Sequence, residues 1–162
     1  MASKGKKKAG TTNEPSIENR KARHQYAIEE TLECGIRLLG TEVKSIRAGQ
    51  ASLAEGYVRA TEQPLALRLH SVHVAEYPPA GPRQHEATRT RELLAHKREI
   101  RKLADKARQP GRTIVPLKIY FKDGRIKILI GIAVGKRKSD KRQDMAKRDA
   151  KREMDRAMSR RM

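Results

Sequence analysis

The chain is poor in rings: its 162 residues hold no Trp, one Phe and four Tyr. An RNA reader built on several exposed stacking aromatics is therefore disfavoured, and recognition of nucleic acid should rest on backbone shape and phosphate contacts. The single cysteine, Cys34, excludes an internal disulfide and a multi-cysteine zinc site. No apolar run approaches the length needed to span a bilayer. The Lys-rich start has no apolar stretch of the kind a secretory signal needs. A soluble, cytoplasmic protein of one domain is expected, with enough chain to bury a core.

Acidic residues are also scarce. Against 38 Lys+Arg stand 19 Asp+Glu, a net charge of +19, which implies a polyanionic partner. The charge is uneven. Residues 1–25 carry about +5, residues 26–135 about +7 and residues 136–162 about +7, so both ends are denser in charge than the middle.

The strongest local signal is the stretch from Thr113 to Arg142. Asp123-Gly124 sits between two alternating runs, and both residues tolerate the positive φ of a tight hairpin turn. A two-residue loop pairs Phe121 with Ile126, Ile119 with Ile128, Leu117 with Ile130 and Val115 with Ile132, all apolar. Lys118, Tyr120, Arg125 and Lys127 fall on the other face. Cross-strand pairs contribute roughly 0.2–1 kcal/mol each, less than the cost of ordering the backbone, so the hairpin must join a larger sheet.

Residues 1–18 offer little to bury and read as disordered. Arg20, Lys21, Arg23 and His24 form a basic entry to a first strand. Tyr26 to Leu39 alternates, with Glu30 on the apolar side and Gly35 allowing a bend. Thr41 to Ala48 reads as a short helix capped by Thr41, with Lys44 and Arg47 turned away from Val43. Leu53 to Ala60 is a weaker strand. Leu65, Leu67 and Leu69 continue the sheet, and the apolar phase shifts to Val72 and Val74 through a bulge near His70 and Ser71. Tyr77 to Ala87 is a loop. Thr88 to Gln109 reads as one helix with a Leu93, Ile100, Leu103, Ala104, Ala107 stripe, ended by Pro110-Gly111. Leu94 lies off that stripe, at the core edge or exposed. From Lys141, Ala146, Ala150, Met154, Ala157 and Met158 form a stripe too narrow for a core. A tail that is disordered free and helical on a charged partner is expected.

No cofactor, metal or active site is expected. His70 and His73 would point to opposite faces of a strand, and no third ligand is near. No nucleotide-binding or nucleophile-elbow motif occurs. A nuclease using His24, Glu33 and His96 can be imagined, but nothing in the spacing demands it. Cys34 has the parity of a core residue. Mostly short strands, two helices and a closing hairpin suit a mainly β fold with helices: an OB-like antiparallel barrel with rim helices.

Five blocks then carry a resemblance. They are Asn19-Arg-Lys-Ala-Arg-His-Gln-Tyr26, Gly40-Thr-Glu-Val-Lys-Ser-Ile-Arg47, Arg89-Thr-Arg-Glu-Leu-Leu-Ala-His96, Thr113-Ile-Val-Pro-Leu-Lys118 and Ile130-Gly-Ile-Ala-Val-Gly-Lys-Arg-Lys-Ser-Asp-Lys-Arg142. Together they resemble the SmpB family, the tmRNA-binding proteins of bacterial trans-translation. The resemblance implies a barrel over residues 19–135 that binds the tRNA-like domain of tmRNA. It implies a tail over 136–162 that enters the ribosomal decoding centre and folds along the empty mRNA channel. Alanyl-tmRNA would be delivered by elongation factor Tu with GTP, and the protein would act as a monomer and not as an enzyme. The family's RNA-contact positions map to Arg23, His24, Glu33, Arg47, Arg89, Leu94, His96, Lys127 and Lys136, with Arg20 and Lys44 as further basic candidates; this favours an exposed Leu94. The decoding-centre set is Gly135, Lys136, Lys138, Ser139, Asp140, Lys141, Arg142 and, farther along, Met158. Val134 stands where the family commonly has Lys, and Ser139 where it usually has Tyr or His. The runner-up reading is a ribosomal-protein-like chain with basic extensions.

Overall fold

The computed structural model describes residues 14–160. The expectation of a disordered start over 1–18 therefore lies mostly outside the described residues. Its last part is corrected: β1 (Ile17–Glu18) pairs with β8, Ile17 opposite Ile119. Instead of leading straight into a strand, the basic entry folds as helix α1 (Arg20–Gln25). Asn19 is the reason. Its side-chain oxygen accepts from Ala22 N–H, while Nδ2 donates to Leu53 O and Pro116 O. The cap thus fixes α1 to two other segments at once.

The remaining elements are β2 (Tyr26–Ile36), α2 (Gly40–Arg47), β3 (Ala51–Ser52), β4 (Tyr57–Glu62), β5 (Leu65–His70), β6 (His73–Val74), β7 (Arg91–Leu94), α3 (Lys97–Ala107), β8 (Arg112–Lys122), β9 (Arg125–Gly135) and α4 (Lys138–Arg160). The large sheet runs β1-β8-β4-β5-β7-β2-β9, and β8 also pairs with β9. The antiparallel sheet therefore closes into a ring, with α3 packed against it. Its interior holds Leu67, Leu69, Ile114, Ile119, Ile128, Ile130 and Ile132, each almost wholly buried, with Cys34 among them. Burial pushes the Cys34 thiol up to about 12 and leaves it inert.

The hairpin turn forms as expected, with positive φ at Asp123 and Gly124. Its register holds for Phe121–Ile126 and Ile119–Ile128, then shifts by one at a bulge between Pro116 and Lys118. Val115 faces Gly131 and Pro116 faces Ile130, correcting the two outer pairs. The bulge splits the apolar run. Val115 and Leu117 turn to a second small core with Ala22 and Ala133, so that α1 packs there. A second bulge in β2, between Ile28 and Glu30, explains the polar residue on the apolar side. Glu30 meets Lys102 and Lys106 of α3 instead of the core.

Three further readings are corrected. The phase shift after Leu69 is a strand end: Ser71 takes positive φ, and β6 leaves to pair with β3. Thr41 does not cap α2; Leu39 N–H donates to Glu42 Oε2, and Thr41 Oγ1 meets His85. Thr88 to Gln109 is not one helix. Arg91–Leu94 is a strand paired with β2 and β5, and the helix begins only after His96. The Leu93–Ile100 spacing of seven suits a helix, but the two residues lie in different elements, and sheet pairing wins over local propensity. The tail also differs from the expected free state. Lys138–Arg160 is a continuous helix with no buried residue.

Candidate nucleic-acid interface

Around the hairpin turn, four elements meet, and α2 and β9 bring cations to one place. A cleft of about 330 Å³ is lined by Arg47 of α2, Leu94 of β7, and Phe121, Arg125 and Lys127 of the hairpin. Leu94 is 46% exposed, because alternation in a strand turns it out while Leu93 turns in. Arg47 lies over the Phe121 ring at 5.7 Å, which fixes a long side chain. Glu33 stands beside this cleft on the outer face of β2. Its carboxylate accepts from the Tyr120 hydroxyl and from Lys122 Nζ. These bonds, with Tyr120 first, hold it below the usual carboxylate range. Burial, then Glu33, pushes Tyr120 up to about 12. Glu33 is thus a fixed anion within a cationic surface, oriented by Tyr120 and Lys122. Tyr120 was legible from the hairpin register, which sets it opposite Lys127; the same register sets Lys122 opposite Arg125 on that face, though the sequence reading passed over it.

A second group lies at the root of the tail. Lys136 N–H donates to Gln25 O, and its Nζ donates to Arg23 O and pairs with Asp144. The Lys136 hydrogen bond is the main reason that the Asp144 carboxyl lies below its ordinary range. His24 shares a shallow cavity with Met145, Arg148, Asp149 and Arg152. Arg23 and His24 therefore stand with the tail helix, and Arg20 lies exposed on the same short α1. Gly135 ends β9. Lys138, Ser139, Asp140, Lys141 and Arg142 form the first turns of α4, and Met158 is 64% exposed near its end. Asp140 accepts from Arg137 N–H at 3.3 Å, which places an anion at the helix start.

A third group surrounds α2. Lys44 lies over the Tyr77 ring at 4.9 Å. Arg89 grips Glu42 through Nε and Nη2, at 3.2 and 2.7 Å. Glu42, fully buried, also accepts from Arg91 Nε at 2.8 Å. Burial pushes the Glu42 carboxyl up, but its bonds from Arg89, Leu39 N–H and Arg91 outweigh this and hold it below the usual range. Arg91 is itself fully buried and donates to Val72 O and Ala87 O. Sequence reading passed over this pair; an acid in a helix and an Arg far along the chain give no local signal. His96 sits exposed at the start of α3, where its N–H donates to Glu99. Among the described residues no hydrogen bond joins His24, Glu33 and His96, so the imagined nuclease set is not assembled.

A closed antiparallel sheet with cations around an outer cleft, and a basic helix springing from its last strand, defines a polyanion-binding β protein with a projecting arm. The family model described as SmpB protein matches residues 16–160. The chain belongs to the SmpB family. Curated relatives named SsrA-binding protein include one from Staphylococcus epidermidis, 46% identical over 142 residues (88% of this chain and 87% of that protein). Another, from Staphylococcus aureus strain Newman, is 49% identical over 137 residues, 85% of each chain. A solved structure described as "tmRNA-SmpB: a journey to the center of the bacterial ribosome" is 44% identical to this chain. Its TM-score is 0.65, covering 80% of this chain and 93% of that one. Among the described residues no helix is long and apolar enough to cross a membrane.

Proposed function

We propose that this chain is the tmRNA-binding adaptor of trans-translation: an OB-like barrel over residues 19–135 grips the tRNA-like domain of tmRNA, and the tail over 136–162 serves the decoding centre. The observation that carries the reading is the convergence of Arg47, Leu94 and Lys127 on one cleft, with Glu33 beside it. Residues scattered through the chain meet there, as a folded RNA surface requires. In this reading Lys127 and Arg47 hold phosphates, Leu94 packs on a sugar or base face, and Glu33 accepts from a 2′-hydroxyl or base edge. Arg89 and His96 extend the footprint along β7.

The tail works separately. Asp140, Lys141 and Arg142 would occupy the decoding centre, where no codon pairs, and Met158 would meet the empty mRNA channel. The partner is then a ribosome stalled without a codon, entered with elongation factor Tu and GTP. Ser139 carries no ring, so decoding-centre contact rests on its charged neighbours. Arg23 and His24, which touch the tail root, relay its position to the barrel.

A competition gel shift tests this. Full-length protein and a chain ending at Gly135 are each offered the tRNA-like domain against excess hairpin RNA at about 0.2 M salt, where non-specific binding is weak. Selective binding by both is expected, with peptide tagging only by the full chain. Loss of selectivity with the tail removed would overturn the barrel as reader and favour a ribosomal-protein-like role.

A further inference from the structure

Gly35 is the residue of β2 that pairs on both sides, with Leu94 of β7 and with Lys127 of β9. Lys127 pairs in turn with Tyr120 across the hairpin. The register therefore lays Leu94, Gly35, Lys127 and Tyr120 in one row across β7, β2, β9 and β8. Their chain neighbours Leu93, Cys34, Ile128 and Ile119 are buried, so alternation turns the row outwards. Glu33, one outward position from Gly35 and about 7 Å along the strand, shares that face. Only Gly35 brings no side chain to the row. The gap it leaves lies in the wall of the hairpin cleft, which Gly35 lines together with Leu94 and Lys127.

Backbone conformation does not require glycine here. Gly35 lies within a strand and takes no positive φ, unlike Gly124 in the turn. Its distinction is space. A Cβ added to Gly35 would stand 3.2 Å from Leu94 Cβ, 3.5 Å from Cδ1 and 3.8 Å from Cγ. Cβ atoms on opposed residues of a sheet are ordinarily about 4.5–5.5 Å apart. The nearest atoms outside its chain neighbours all belong to Leu94, so the Leu94 side chain lies over Gly35, across β2. A side chain at position 35 would crowd Leu94 and push it off the strand. Leu94 is still 46% exposed, so its surface away from β2 is open to a ligand.

Leu94 and Lys127 flank β2, with their backbones roughly 9–10 Å apart at ordinary strand spacing. A side chain rising between them would separate an apolar contact from a cation. With glycine there, Leu94 carries apolar surface towards Lys127. A nucleotide presents a ring and a phosphate close together, and this surface offers an apolar face beside a cation. We propose that Gly35 is a positioning residue for RNA recognition: its missing side chain lets Leu94 lie across β2 towards Lys127, so that a single nucleotide of tmRNA meets both. The inference rests on the tmRNA-binding reading and names the residue that shapes the contact.

The test is a double-mutant cycle in the full-length chain. The parent, Gly35→Val, Leu94→Ala and the double variant are each titrated with the tRNA-like domain and with hairpin RNA at about 0.2 M salt. Thermal unfolding sets a temperature at which every variant is folded, and Gly35→Ala replaces Gly35→Val in the cycle if the larger side chain prevents folding. Gly35→Val should weaken binding of the tRNA-like domain by roughly tenfold, as Leu94→Ala should, since each removes the same apolar contact. Gly35→Ala should weaken it less. With Leu94 already Ala, a change at Gly35 should weaken binding no further. The slope of log K against log salt should match the parent's in the Gly35 variants, because no phosphate contact is lost, whereas Lys127→Ala should lower it by about 0.7–0.9. Parent-like binding by the Gly35 variants, or effects at Gly35 and Leu94 that multiply in the double variant, would overturn the proposal while leaving the tmRNA-binding reading in place. A parent with no preference for the tRNA-like domain over hairpin RNA would overturn that reading and this inference with it.

Discussion

Glu42 and Arg91 show how one buried pair can organise several segments. Each is fully buried, and each satisfies the other's charge. Replacing Glu42 with Ala strands the Arg91 guanidinium without its counter-ion. Stability should fall by about 3–5 kcal/mol, read as a lower urea midpoint. Arg89 would lose its anchor in the same variant, so RNA binding should weaken even at temperatures where the fold persists. Glu30 acts at the surface and by a different route. Hydrogen bonds from Lys102, then Lys106, hold its carboxyl down to about 2. A depressed carboxyl stabilises the fold above its ordinary range near 4.5, and that contribution disappears as the pH falls towards 2. Glu30→Gln should therefore lower stability modestly at neutral pH, since the pair is partly exposed, flatten the acid limb of a pH–melting curve between those values, and meet the parent curve as the pH nears 2. Glu33 is held below the ordinary carboxylate range, so its own share of selective tmRNA binding, read as the ratio of parent to Glu33→Gln affinity, should be the same at pH 5 as at pH 7. Glu33→Gln should lose selectivity at both, by roughly tenfold, the scale of one hydrogen bond to a charged group.

Among the elements, the hairpin was legible because its turn chemistry and its alternation agree. Asp123 and Gly124 take the positive φ that their residue types announce. Gly124→Val should cost about 1–2 kcal/mol, measured by thermal unfolding, because a β-branched residue resists that conformation. The bulge near Pro116 was hidden, since the run from Ile114 to Leu117 and the strand facing it are apolar, and a one-residue slip there leaves the pattern intact. Strand β7 was hidden for a related reason. Its four residues are too few to show a period, and α3 supplies a stronger one beside it. Leu94 was consequently placed off a helical stripe, and its exposure comes instead from the strand. The tail helix presents the opposite case: its period was visible, its stability was not. With no buried residue, α4 is held by local charge pairs and by Lys136–Asp144 at its root. Asp144→Asn should speed amide exchange in the first turns of α4 while exchange in β8 and β9 is unchanged. Equal protection before and after the change would show that the root contact does not hold the helix.

At the scale of the molecule, charge was legible and its distribution was not. A net charge of +19 announces a polyanion, but only folding sorts the cations into the hairpin cleft, the tail root and the surroundings of α2. Closure of the ring has a further consequence, in time. Tyr26 pairs with Gly135, and β2 finds most of its hydrogen bonds on β9, the last strand made. During synthesis β2 must wait, its apolar face uncovered, until almost the whole chain has left the ribosome. Contacts between distant parts of a chain form slowly, because loop closure must precede them. The nascent protein should thus depend on chaperones until its final strand emerges, and a message broken before the codons for β9 would yield a fragment that cannot close. A protein whose family serves stalled ribosomes is itself among the chains least able to survive a stall.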